Sequence, residues 1–237
     1  MIDARANLLF APTDGAAANL RREGVAGAIH VTGNTAIDAL LDVVADLPTP
    51  GVRESRRILV TCHRRENWGG RIHSVVDALV ELAADGQTAI DVVLPPNAHV
   101  AATLAALLRG TPNITLLQPC SHRDLIERMR NAGLVLSDSG GMQEEAPALG
   151  IPLLILREKT ERPEGLATGN MRLVGTDAAE IVAQARRLLN DPLAYAAMSR
   201  PAFPYGDGRA ATRIAAIIEQ WLETSQPTRG SGRGIGS

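Results

Sequence analysis

From residue 56 onward, short uninterrupted apolar runs alternate with longer stretches in which apolar positions recur every three or four residues. The runs 58–62, 90–94, 114–117, 134–136, 153–156 and 173–174 are mostly β-branched residues and leucine with no polar alternation, which predicts strands covered on both faces. Between them, 72–84 places Ile72, Val75, Val76, Leu79, Val80 and Leu82 at helical spacing, and 100–109, 121–131, 143–149 and 178–189 predict helices in the same way. Repeated strand–helix units require parallel pairing with right-handed crossovers, so the expected class is α/β with a Rossmann-like parallel sheet. Ligands of such sheets gather beyond the carboxyl ends of the strands, where the loops holding His63, Ser139 to Gly141 and Arg157 to Glu164 would converge.

The flanks read differently. Residues 8–13 predict a strand ending at Pro12, followed by a helix over 14–23, a strand over 28–32 and a helix over 34–44. Two prolines and a glycine then make 46–51 a linker. Near the other end, Tyr205-Gly206-Asp207-Gly208 reads as a turn launching an amphipathic helix over 209–222, with Asp207 as its cap. Ile214, Ile217, Ile218, Trp221 and Leu222 of that helix require a covering surface, whereas the Gly-, Ser- and Arg-rich 224–237 is expected to be a disordered tail.

Composition narrows the classes. With a net charge of −2 and 45% hydrophobic residues, nothing points to nucleic acid or an acidic membrane as a partner. No apolar stretch reaches the ~18 residues of a membrane span, and the start carries no signal-peptide pattern, so a cytoplasmic protein is expected. Cys62 and Cys120 stand in no metal-ligand spacing and are expected as free thiols, and the five histidines form no H-x-x-x-H pair, so no metal site is expected.

Three segments carry candidate chemistry. In 134–147 an apolar strand meets Ser137-Asp138, then Gly140-Gly141, then Glu144-Glu145; a tight glycine turn at a helix start suits a diphosphate, and the carboxylates suit ribose hydroxyls. The turn lacks G-x-G-x-x-G spacing, so a capped βα turn whose glutamates offset the helix dipole is the competing reading. His63-Arg64-Arg65-Glu66-Asn67 directly follows a strand and offers donors to a phosphate, or else exposed, solvated pairs. In 157–164, Thr160 as a cap with Pro163 in the first turn and Glu164 completing the pattern would set Arg162 at a helix start facing the cleft; a solvated loop is the alternative. His73 reads as surface or core filling and His122 as part of a helix cap.

Taken in order, 31–38, 63–67, 137–147, 160–164, 173–176 and 205–209 resemble the UDP-N-acetylglucosamine 2-epimerase family, non-hydrolysing bacterial type, from about residue 3 to about residue 222. The resemblance implies a GT-B-like fold of two Rossmann-like domains, with this chain corresponding mainly to the C-terminal UDP-binding one. Residues 1–47 would then be a remnant of the first domain plus connection, 48–208 the UDP-binding domain, 209–223 a crossing helix and 224–237 the tail. It implies interconversion of UDP-GlcNAc and UDP-ManNAc for cell-surface polysaccharide. UDP leaves C1 as the C2 proton is removed, a 2-acetamidoglucal forms, and UDP re-adds, with no cofactor.

By the same resemblance His63 is the active-site histidine, Ser139, Gly140 and Gly141 are the phosphate-binding turn, Glu145 holds the ribose, and Arg162 is the arginine of T-E-R-P-E. Cys120 and Leu125 fall at the uridine-side positions but differ from the family's usual residues, where contact is expected partly through backbone. Pro95 falls where many relatives carry a histidine of a second, regulatory UDP-GlcNAc site, and a proline side chain offers no hydrogen bond there. The arginine- and lysine-bearing G-T-R-P-E loop and the proton-transfer carboxylates of the first domain have no counterpart here, so the chain by itself is expected to bind UDP weakly without epimerising it. Three other readings stay open: a hydrolysing relative releasing ManNAc and UDP, a non-catalytic UDP-sugar-binding half that pairs with a separate N-terminal polypeptide, and a degenerate remnant. A homodimer is the expected assembly.

Overall fold

In a computed structural model that describes residues 5–49, 53–63 and 70–225, strands and helices alternate as far as residue 190, and two further helices follow. The first part holds β1 (Leu8–Ala11), α1 (Asp14–Arg22), β2 (Ala28–Val31) and α2 (Thr35–Asp46). Then come β3 (Glu54–Thr61), α3 (Gly70–Ala83), β4 (Ala89–Val93), α4 (Ala98–Leu108), β5 (Ile114–Leu117), α5 (His122–Asn131), β6 (Ala132–Ser137) and α6 (Gly140–Ala148). The chain continues through β7 (Leu153–Ile155), α7 (Pro163–Ala167), β8 (Met171–Leu173), α8 (Ala178–Asn190), α9 (Pro192–Met198) and α10 (Ala210–Ser225).

β1 and β2 make a separate parallel pair, while β3 to β8 form one parallel sheet in the order β5-β4-β3-β6-β7-β8. The chain therefore builds outward from β3 to one edge, returns, and builds outward from β6 to the other. Crossovers diverge between β3 and β6, which opens a crevice at their carboxyl ends.

Period-two geometry explains the core. Every residue of β6 is buried, because this central strand is covered on both faces. Leu134 and Leu136 turn toward Val75 and Leu79 of α3 and Ile181 of α8. Val135, between them, turns to the opposite face with Met129 of α5 and Met142 and Ala146 of α6. Each such side chain stabilises the fold by about 1.5–3 kcal/mol relative to exposure.

The structure departs from the sequence expectations in identifiable places. Helix α6 begins at Gly140, three residues before the apolar pattern suggests, and neither Gly140 nor Gly141 has a positive φ. These glycines thus form the first helical positions and are not the hinge of a left-handed turn. β8 starts at Met171, because edge pairing with β7 aligns Met171 with Leu153. Helix α9 was not foreseen: it is a short helix set up by the Asp191 side chain and Pro192, and its Leu193 is largely exposed, so no apolar period marks it.

The cap of α10 is also different. Asp207 is taken by Arg213, at 2.6 and 2.7 Å, and the Asp38 carboxylate of α2 instead accepts the N–H groups of Ala210 (3.1 Å) and Ala211 (2.8 Å). Ile37 and Leu40 of α2 share a cluster with Ile126, Ala148 and Tyr205, so α2 packs as part of the six-stranded unit and only β1, α1 and β2 stand apart from its core. Part of the 46–51 linker and most of the 224–237 tail lie outside the described residues.

Candidate functional site

The crevice between β3 and β6 is held shut at its base by side chains. At the last residues of the two strands, the hydroxyls of Thr61 and Ser137 hydrogen-bond at 2.6 Å. One step further, fully buried Asp138 accepts the His63 N–H with both carboxylate oxygens, at 3.1 and 3.0 Å, and lies 3.5 Å from the Cys62 thiol. A buried carboxylate is stable only when so engaged. Asp138 therefore pins the start of the loop after β3 to the end of β6 and sets where the His63 ring emerges. That ring is 45% exposed, with Nε2 3.9 Å from Asp138 Oδ1. Arg64 to Asn67 of the same motif lie outside the described residues.

Only Asp138 and Ser139 separate β6 from α6. Ser139 occupies the cap position of α6 without giving its side chain to a capping bond, although its own N–H donates to Ser137 Oγ at 3.0 Å. Helix α6 therefore starts without a side-chain cap on its first N–H groups, at the turn where Ser139 borders the crevice, an arrangement that can bind an anion. A methyl group added at Gly141 would meet nothing nearer than Ser139 Oγ at 3.8 Å, so the space in front of this residue is open.

A cavity of about 150 Å³ lies against this turn and is walled by His63, Pro95, Cys120, Leu125, Ser139 and Met142 among others. Four residues singled out from sequence, His63, Cys120, Leu125 and Ser139, thus share one cavity; Gly140 and Gly141, which follow Ser139 in the chain, are not part of its wall. Glu145 stands deeper on the same helix, 7% exposed, and its Oε1 meets Nε2 of His122 at 2.7 Å. Burial pushes the Glu145 carboxyl above the usual carboxylate range, and the His122 hydrogen bond opposes that rise.

Arg162 is placed elsewhere. It follows β7 on the same sheet edge, but lines a second cleft of about 350 Å³ with Thr13, Asn34, Glu144, Glu164 and Tyr205. There Glu144, buried, accepts from Arg162 Nε and from Asn34 Nδ2 (2.7 Å), while Thr13 Oγ1 donates to Glu164 at 2.6 Å. The Tyr205 hydroxyl donates to the Arg162 carbonyl at 2.9 Å and accepts the Gly165 N–H at 2.8 Å. Burial pushes that phenol up to about 12.

Two capping roles read from sequence are corrected. Thr160 does not cap α7; its hydroxyl accepts the Arg162 N–H at 2.9 Å and donates to Gln143, and Glu164 is turned to Thr13 instead. His122 does not cap α5 either, because the Ser121 hydroxyl accepts the Asp124 N–H at 3.1 Å. Sequence reading named Glu144 beside Glu145 as a candidate carboxylate but not its pairing with Arg162 and Asn34, and it gave Asp138 and His122 no role at the site. The partners of all three come from other strands, helices and loops.

Among the described residues no three His, Cys, Asp or Glu side chains converge as metal ligands do, and no helix is long and apolar enough to cross a membrane. Cys62 and Cys120 form no disulfide.

Comparison with known proteins bears on the same site. Residues 1–219 match the profile of UDP-N-acetylglucosamine 2-epimerases. The chain is 40% identical over 228 residues to the UDP-N-acetylglucosamine 2-epimerase of Salmonella typhimurium, covering 90% of this chain and 60% of that protein. Against the enzyme of the same name from Escherichia coli K12 it is 41% identical over 227 residues, covering 89% and 60%. The solved UDP-GlcNAc 2-epimerase of Neisseria meningitidis, bound to UDP-GlcNAc, superposes with a TM-score of 0.85 at 34% identity, over 91% of this chain and 62% of that one. An S. aureus MnaA–UDP structure gives 0.84 at 35%, over 95% and 64%. The parallel α/β architecture is that of these GT-B-like folds, and the likeness runs through the N-terminal segment as well as the six-stranded unit. The chain spans about three fifths of the length of the curated relatives it matches.

Proposed function

The chain belongs to the UDP-N-acetylglucosamine 2-epimerase family, and on that premise we propose that it holds the UDP part of UDP-GlcNAc and UDP-ManNAc while the two sugars are interconverted by UDP elimination and re-addition. The observation that carries this reading is the meeting of His63, Cys120, Leu125 and Ser139 around one cavity at the switch point, beside an α6 N-terminus with no side-chain cap. In this reading the diphosphate lies on the first N–H groups of α6 with the Ser139 hydroxyl, where the helix dipole stabilises the charge gained as the C1–O bond breaks. The small residues Gly140 and Gly141 allow the phosphates to approach the backbone. The uracil enters between Cys120 and Leu125, Glu145 accepts from the ribose hydroxyls, and His63 donates to the departing phosphate. Arg162, tied to Glu144, borders the sugar side of the site. Elimination and re-addition involve no net redox change, so no redox cofactor takes part.

Proton transfer at C2 requires an acid–base pair close to the sugar. Among the described residues no carboxylate borders the His63 cavity, and Glu144 is engaged by Arg162 and Asn34. We therefore assign that step to groups beyond the UDP-holding unit, brought in by further polypeptide or by a second copy in a homodimer. The remaining features follow from the same reading: residues 48–208 correspond to the family's C-terminal UDP-binding domain, Pro95 leaves a second UDP-GlcNAc site without a side-chain donor, and the protein works in the cytoplasm to supply polysaccharide synthesis.

Calorimetric titration of UDP into the 237-residue chain tests the proposal. Saturable binding that weakens at least tenfold in Ser139→Ala combined with His63→Ala is expected, and a folded wild-type chain that binds no UDP overturns it. Incubation with UDP-GlcNAc is expected to give no UDP-ManNAc from this chain alone; its formation would place the C2 base within the chain. Release of free ManNAc would favour the hydrolysing chemistry.

A further inference from the structure

We propose that His122 is a positioning residue for nucleotide binding: it anchors one oxygen of Glu145 so that the other is presented to the ribose hydroxyls. The inference rests on the UDP-site reading above and adds to it a residue outside the cavity wall. His122 lies three residues before Leu125 on α5, and Glu145 three residues after Met142 on α6, so each shares a helix face with a residue that walls the His63 cavity. The pair bridges the two helices at 2.7 Å beside that wall.

The two oxygens of Glu145 are not equivalent. Oε1 takes the imidazole, whereas Oε2 accepts no hydrogen bond from a described residue and retains contact with solvent. One carboxylate oxygen is thereby fixed and the other is an open acceptor on the helix that walls the His63 cavity through Met142. His122 supplies what a long glutamate side chain lacks, a fixed orientation, and the ring favours the ionised form that accepts from two vicinal hydroxyls. Among the described residues, the titratable groups facing Glu145 are His122 from α5 and Glu144 from its own helix, and Glu144 is itself held by Arg162.

The test compares UDP with 2′,3′-dideoxy-UDP by calorimetry on the 237-residue chain and on His122→Ala, His122→Gln and Glu145→Gln, with melting curves to verify folding. A hydrogen bond to a charged group is worth about 1.5–3 kcal/mol, so His122→Ala is expected to weaken UDP about tenfold. His122→Gln, whose amide nitrogen reaches the place of Nε2, should restore most of the loss. Dideoxy-UDP should bind wild type and His122→Ala alike, and His122→Ala should add nothing to Glu145→Gln. Equal UDP affinity in wild type and His122→Ala overturns the proposal, as does an equal loss with the dideoxy ligand, which would mark a merely structural role. A folded wild type that binds neither ligand instead overturns the UDP-site reading, and this inference with it.

Discussion

Tyr205 bears on both the fold and the cleft, because its one hydroxyl holds the Arg162 carbonyl and the Gly165 N–H at the start of α7. Its folded value of about 12 stands above the value of about 10 for an exposed phenol, so ionisation favours the unfolded chain. The stability it contributes is fully present below about pH 10 and is lost as pH rises through about 12. Denaturant melts at pH 8 and pH 11 should therefore differ more for wild type than for Tyr205→Phe, and equal differences would remove Tyr205 from this role. At this scale position along the chain is enough to bring His63 and Ser139, each two residues beyond a strand end, to one cavity, whereas Cys120 and Leu125, which share its wall, are indicated only by the family resemblance. The sequence was not legible for the pairings of Asp138, Glu144 or His122, whose partners stand 75, 18 and 23 residues away. A periodicity of two or 3.6 carries no information about such pairs.

Among elements, α10 shows how a local reading picks the wrong cap. Asp207 stands just before the helix with the right chemistry, yet Arg213 one and a half turns on competes for it, while Asp38 reaches the orphan N–H groups from α2. Asp38→Ala should consequently cost about 1 kcal/mol, in the usual range for a lost cap, and Asp207→Ala should shift the melting midpoint less; the reverse order would restore the local assignment. The central strands were readable because burial on both faces leaves a continuous apolar run, as in β6. Short elements such as α9 were not, since a seven-residue helix made by one cap and one proline has no room for a period.

Across the whole molecule, the β1–β2 pair is joined to the six-stranded unit through a few specific contacts. Thr13 on Glu164 and Arg213 on the Thr32 carbonyl are two of them, and the third is Glu144, which Asn34 holds from one side and Arg162 from the other. The linear pattern reads strand, helix and strand over 8–32 as unable to form a domain alone and 46–51 as a linker, because two prolines and a glycine interrupt the preceding helix. The packing of Ile37 and Leu40 of α2 against Ile126 and Tyr205 joins residues far apart in the chain, which no local pattern carries.

The missing side-chain cap of α6 has a thermodynamic price and return. A helix that keeps its first N–H groups unpaired gives up about 1 kcal/mol of its own stability, and a ligand that pairs them returns it by mass action, about 2.7 kcal/mol at a concentration one hundred times Kd. Thermal melting thus becomes a gauge of occupancy: UDP should raise the midpoint of the wild-type chain in a concentration-dependent way. Ser139→Asp, which supplies its own anion to the same N–H groups, should melt higher without ligand and respond little to UDP. If the variant gained no stability, or kept the full UDP response, the open end of α6 would not be where the nucleotide's charge is stored.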